Sequence, residues 1–182
     1  MYQFSSKSKR VLSVLVLLSL IAFLAVEKNK IDIKRKWYEQ KLDASELAKK
    51  AADYIKNVRL QKGIFIDAIN DPNETALIGQ DITPITTDRG YIDSKLTSLN
   101  PNFAAIVVDM LKEIDVQPDD AVAISFTGSL PALNIAVISA VQTLKLKPVI
   151  ITSVCATNWG ANDPYITWHD MAKIVCDAGI VK

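Results

Sequence analysis

The chain has 182 residues, 49% of them hydrophobic, with one histidine, two cysteines and a formal charge of +1, which allows one modest globular domain plus an extension. That charge is divided: residues 1–62 hold 14 Lys and Arg against 6 Asp and Glu, whereas residues 63–182 hold 7 against 14. A domain with a net −7 lacks the basic footprint of a nucleic-acid binder, and Cys155, Cys176 and His169, without CxxC spacing, do not furnish a zinc site. No metal and no cofactor are expected.

Lys7, Lys9 and Arg10 precede an uncharged apolar run from Val11 to Val26. The run is a little shorter than the roughly 20 residues that cross a hydrocarbon core, longer than most signal-peptide cores, and followed by no A-x-A site. This predicts a basic tail over 1–10 and an uncleaved signal anchor in membrane lipid over 11–26. The basic residues beyond the run outnumber those before it, which by the positive-inside rule alone would keep the domain cytoplasmic. The layout of a short basic tail followed at once by an apolar run is that of a secretory signal, and an extracytoplasmic domain is expected.

From Ile31 to Lys62 there is no Pro or Gly, and Leu47, Ala51, Tyr54, Ile55 and Val58 recur at helical spacing. A long amphipathic helical stalk is predicted over 27–62, stopped by Gly63 as a C-cap. The α/β domain then occupies 63–182. GIFID and TALIG read as short strands either side of the turn Asn70 to Asn73, and a hydroxyl-rich stretch follows that carries Arg89 and Lys95. Cations among hydroxyl donors suit a carboxylate or phosphate. Asn100 and Pro101 read as the cap and first position of a helix through FAAIVVDMLKEI.

The stretch Ala121 to Ser153 organises the domain: a buried strand AVAISF, the turn TGS, an amphipathic helix, and a second buried strand beginning KPVIIT. A crossover of this kind joins parallel strands. The predicted fold class is α/β, a Rossmann-like parallel sheet with flanking helices, preceded by the membrane helix and the stalk helix. Thr127, Gly128 and Ser129 then fall at a strand's carboxyl end, where open α/β sheets bind ligands. The loop with Asn158, Gly160, Asn162 and Asp163 follows the second strand at the same edge. Thr167 reads as the N-cap of the last helix with Asp170 at its third position, which puts His169 in the first turn. Cys155 and Cys176 are expected as buried free thiols, with a disulfide open in an oxidising compartment. The sequence stops at Gly-Ile-Val-Lys, where another strand is expected, so the domain reads as incomplete at its C-terminus.

These residues support three readings. In a serine hydrolase, Ser129 is the nucleophile, His169 its base and Asp163 or Asp170 the orienter, the order Ser129, Asp163, His169 being that of α/β hydrolases but without a G-x-S-x-G elbow. In a binding protein, the backbone amides at Gly128 and Ser129, with nearby hydroxyls, hold an anionic group. In the third reading Ser129 only caps the helix and Pro131 only starts it.

The segments SFTGSLPALNIAV, VCATNWGANDPYITWHDM and TPITTDRGYIDSKLTSLNPNFAA resemble the poly-gamma-glutamate system proteins, a family associated with bacterial synthesis and export of poly-γ-glutamate. The resemblance runs from about Gly79 to Met171. It implies a longer full-length chain and a place in poly-γ-glutamate synthesis or export; joined to the anchor read above, the expectation is a membrane-anchored accessory protein with poly-γ-glutamate, its ends or its synthase membrane proteins as partners. From the residues themselves, the candidate ligand-binding positions are Thr127, Gly128, Ser129, Asn134, Asn162, Arg89 and Lys95. A rival expectation is an amidohydrolase that trims or releases polymer through Ser129, and a third is a non-catalytic membrane scaffold.

Overall fold

A computed structural model describes residues 9–31 and 33–181, divided into two compact units at Lys36 and Trp37. In the first, helix α1 spans Lys9–Lys28 and buries none of its residues. Its 20 residues are long and apolar enough to cross a membrane, since about 1.5 Å of rise per residue gives roughly 30 Å.

The second unit opens with α2 (Tyr38–Gln61). This corrects the stalk expected over 27–62. The helix begins only after Trp37, whose left-handed φ of 57° breaks the chain direction, and it is a core element of the domain. Its buried stripe is Ala44, Ala48, Ala51 and Ile55, each at most 2% exposed. Small side chains at i, i+4 and i+7 let a neighbouring backbone approach closely. That neighbour is α5 (Pro131–Thr143), which presents Ala132, Ala136 and Ala140 in return. Gly63, at φ 65°, lies one residue beyond the C-cap, Lys62.

GIFID and TALIG do not form strands. In the second, the carbonyls of Ala76 and Ile78 accept from the Arg59 guanidinium, and the Gly79 amide donates to the Trp159 carbonyl. Side chains and a loop take the groups that a neighbouring strand would have used. A short helix the sequence did not announce, α3 (Ile92–Ser98), follows and carries Lys95. The next helix, α4 (Phe103–Glu113), has no side-chain cap. Asn100 instead closes an Asx turn one step earlier, its Oδ1 accepting the Asn102 amide at 3.0 Å.

The crossover predicted at the centre is present. Strands β1 (Ala121–Phe126) and β2 (Lys147–Thr152) run parallel, with Ala121 opposite Lys147 and Phe126 opposite Thr152, and α5 joins them. Phe126 meets Trp168 edge to face, ring centroids 5.6 Å apart, which ties the end of β1 to the last helix. The sheet is small, and Val149, Ile150 and Ile151 of β2 are exposed. A short antiparallel pair, β3 (Asn162–Asp163) and β4 (Ile166–Thr167), leads into α6 (Trp168–Asp177). Here the cap is as read: Thr167 accepts from the Asp170 amide while the Asp170 carboxylate accepts from the Thr167 amide. Cys155 and Cys176 are free and exposed, so the expectation of buried thiols is corrected. Cys176 lies on the outer face of an amphipathic helix, whose inner face is Trp168, Met171 and Val175.

Candidate functional site

The turn after β1 and the loop after β2 close on each other at the carboxyl edge of the sheet. The Ala161 amide donates to the Gly128 carbonyl at 2.7 Å, and Gly160 lies so close that an added Cβ would stand 2.8 Å from Gly128 O and from Ser129 Cα. Glycine is required there by contact. Asn134, 5% exposed, braces the turn from α5 by donating its amide to the Thr127 carbonyl at 2.8 Å.

Ser129 does not cap α5. The N-cap is Leu130, with no side-chain hydrogen bond, and Pro131 occupies the first turn. The Ser129 hydroxyl instead accepts from the Thr157 amide and from the Thr127 hydroxyl, both at 3.1 Å. Two donors fill its lone pairs, and its own proton has no acceptor among the described residues. No base stands ready to receive that proton, as a nucleophile would require, so the hydroxyl is better read as a donor than as an attacking group.

Lys95 reaches the same point from α3. Its ammonium, on a residue only 5% exposed, donates to the Ser129 carbonyl at 2.5 Å and to the Thr157 hydroxyl at 2.9 Å. Both partners are neutral, and no carboxylate pairs with it among the described residues. Burial accordingly pushes the Lys95 ammonium below its ordinary value of 10.5. In the interval between the lowered folded value and the unfolded one, the folded chain holds fewer protons, so stability rises with pH there; below the folded value the cost of the buried charge is present in full. Thermal unfolding followed from neutral pH up to 10.5 should show this rising arm in the wild type and lose it in Lys95→Met. Identical alkaline profiles would mean the ammonium is not strained by its burial.

The other predicted site residues are placed as follows. Asn162 is wholly buried, and its side-chain amide exchanges bonds with the Gln80 backbone at 2.9 and 2.8 Å and donates to Thr86 at 2.9 Å. It acts as a brace between the loop and the hydroxyl-rich segment. Asp163, 3% exposed, faces Arg59 at 3.5 Å and accepts from the Tyr165 amide at 3.0 Å. His169 is exposed on the first turn of α6, and no hydrogen bond joins it to Ser129 or Asp163 among the described residues. Arg89 is exposed beside Gly90 and Asn158 in a neighbouring cleft. Thr127, Ser129 and Lys95 therefore converge; Asn134, Asn162 and Asp163 hold the frame beneath them.

Two residues that matter here were not in the sequence reading. Thr157 links Ser129 to Lys95, and nothing local marks it. Arg59 had a signal: it falls four residues after Ile55, directly in line with the Ala44–Ile55 stripe, so a helical wheel drawn on the alanines would have turned it inward.

No protein-family model, curated protein or solved structure matches this chain. Its site has to be interpreted from its own chemistry. Among the described residues there is no cluster of three or more His, Cys, Asp or Glu able to hold a metal ion.

Proposed function

We propose that this is a membrane-anchored accessory component of a poly-γ-glutamate synthesis or export system, whose Rossmann-like α/β domain holds carboxylates of the polymer at the carboxyl edge of β1. The domain lies on the extracytoplasmic side of the membrane, and α1 is its anchor. The observation that carries the reading is the buried Lys95 ammonium, paired only with neutral oxygens beside the Ser129 hydroxyl. A carboxylate is the partner this donor set lacks, and a charge-assisted bond to it would offset the burial of the cation. The resemblance of segments 79–171 to poly-gamma-glutamate system proteins supports the polymer as the source of that carboxylate.

Bulk attraction plays no part, because the domain is net acidic and the polymer is a polyanion. Recognition therefore has to be local, through donors that are already in place. The full chain in detergent, incubated with poly-γ-glutamate, should bind the polymer without shortening it. Lys95→Met should weaken binding by about tenfold or more, the scale of one charge-assisted hydrogen bond. Ser129→Ala should cost less, because it removes one neutral donor and leaves the Thr157 amide without its acceptor, worth about 1 kcal/mol. Shortening of the polymer by the wild type and not by Ser129→Ala would replace this reading with the amidohydrolase, and the absence of both binding and shortening would leave the scaffold.

A further inference from the structure

Beside this edge lies an open cleft of about 660 Å³, lined by Asp81, Asp88, Arg89, Tyr91 and Asn158 among others. Asn158, 9% exposed, fixes both of its walls: its side-chain amide donates to the Asp81 carbonyl at 2.6 Å and to Asp81 Oδ1 at 2.7 Å, and its Oδ1 accepts the Gly90 amide at 3.1 Å. Asp88 uses one oxygen on the Arg89 amide at 2.7 Å. The remaining Oδ2 of each aspartate makes no hydrogen bond or ion pair among the described residues, and neither does the Arg89 guanidinium. Tyr91, 83% exposed, also lines the cleft. Two aspartates, a tyrosine and an arginine thus line one cleft. Asn158 is next to Thr157, which contacts Lys95, so the cleft adjoins the Ser129 edge.

A purely anionic ligand fits this lining poorly, because two aspartates repel it. A group bearing an ammonium next to a carboxylate fits it well: the aspartates and the tyrosine face suit the cation, and the planar guanidinium suits the anion. In a γ-linked glutamate chain every interior residue is an amide with a free α-carboxylate. Only the amino-terminal residue carries an ammonium, on the same carbon as its α-carboxylate. We infer that the cleft formed by Asp81, Asp88, Arg89 and Tyr91 binds a zwitterionic α-amino-acid group, and that it takes the amino end of the polymer while Lys95 and Ser129 hold a carboxylate further along. The assignment to the polymer end rests on the function proposed above; the cleft's preference for a zwitterion does not.

The test is titration calorimetry of the full chain in detergent with a γ-linked glutamate decamer, once with a free amino terminus and once N-acetylated, and with free glutamate. Acetylation removes the positive charge and keeps every carboxylate. It should weaken binding to the wild type by about tenfold, one charge-assisted contact. An Asp81→Asn/Asp88→Asn chain, which keeps the Oδ1 acceptors used by Asn158 and the Arg89 amide, should bind both decamers alike, with an unchanged circular dichroism spectrum. Equal wild-type affinity for the two decamers would overturn the cleft's hold on the polymer's amino end and leave the carboxylate site standing, and glutamate binding unchanged by Asp81→Asn/Asp88→Asn would overturn the zwitterion site itself. Binding of free glutamate with no binding of either decamer would keep the cleft and remove the polymer. Binding of neither decamer and no glutamate would remove both.

Discussion

Arg59→Met is expected to destabilise the domain by about 3–5 kcal/mol, because it removes one partner of a buried ion pair. Arg59 is 2% exposed and is the residue around which the 65–78 segment is arranged. Its Nη1 donates to the Ala76 and Ile78 carbonyls at 2.9 and 3.3 Å, its Nη2 donates to the Phe65 carbonyl at 2.8 Å, and Nη2 lies 3.5 Å from Asp163. Burial disfavours the charge on Arg59, while Asp163 and, less strongly, Asp71 favour it. Methionine fills most of the volume but leaves the Asp163 carboxylate with no cation and three carbonyls with no donor. Asp163→Asn on top of Arg59→Met should recover part of the loss, since the pair is coupled and the stranded charge is then gone. Urea unfolding monitored by the buried Trp168 reads both variants. A loss under 1 kcal/mol in the single variant would mean the 65–78 segment is held by something else. Because Asp163 is adjacent to Asn162, its role here also bears on the hydrolase reading: this carboxylate already has a cation to serve.

The second large effect is expected at Gly160→Ala. The new methyl would stand 2.8 Å from Gly128 O and Ser129 Cα and 3.0 Å from Ser129 O, all of it backbone. Backbone cannot swing aside as a side-chain end can, so the loop must lift by a few tenths of an ångström or more, at about 1–3 kcal/mol for overpacking. Lifting the loop pulls the Thr157 amide from Ser129 and the Thr157 hydroxyl from Lys95. Stability and carboxylate binding should therefore fall together, whereas in Lys95→Met binding should fall while the unfolding midpoint near neutral pH does not, because the cost of the buried charge is removed with it. Gly160→Ala binding polymer as the wild type does would show that the loop is not part of the site. Gly79 behaves similarly for a different reason: a Cβ there would fall on the Gly160 carbonyl and Asn162 Oδ1, so the same loop is clamped from its other side.

What the sequence determined by itself is whatever a few consecutive residues can decide. An apolar run flanked by charges gives α1. Alternating apolar and turn-forming blocks give β1, α5 and β2, with the TGS turn between them, and Thr167 with Asp170 gives the start of α6. Each is a local pattern whose physics, periodicity or capping, operates within one or two turns. The edge of the sheet that carries the candidate site was legible for the same reason, since a crossover fixes which end of the strands the turns occupy. The tertiary structure alone decided which residues at that edge are locked into the frame and which meet at the candidate site. Asn162 and Asn134 look like binding residues on paper, yet the one is satisfied by Gln80, 82 positions away, and the other by a carbonyl across a turn. Lys95 looks like a surface lysine, yet it is buried against residues 34 and 62 positions on. The Ala stripe of α2 reads as a weak, half-wet face until α5 lies against it with alanines of its own. Hydrogen bonds and close contacts of that range depend on which segments the fold brings together, and no local spacing encodes them; burial then turns a polar residue into a brace or leaves it an unpaired donor.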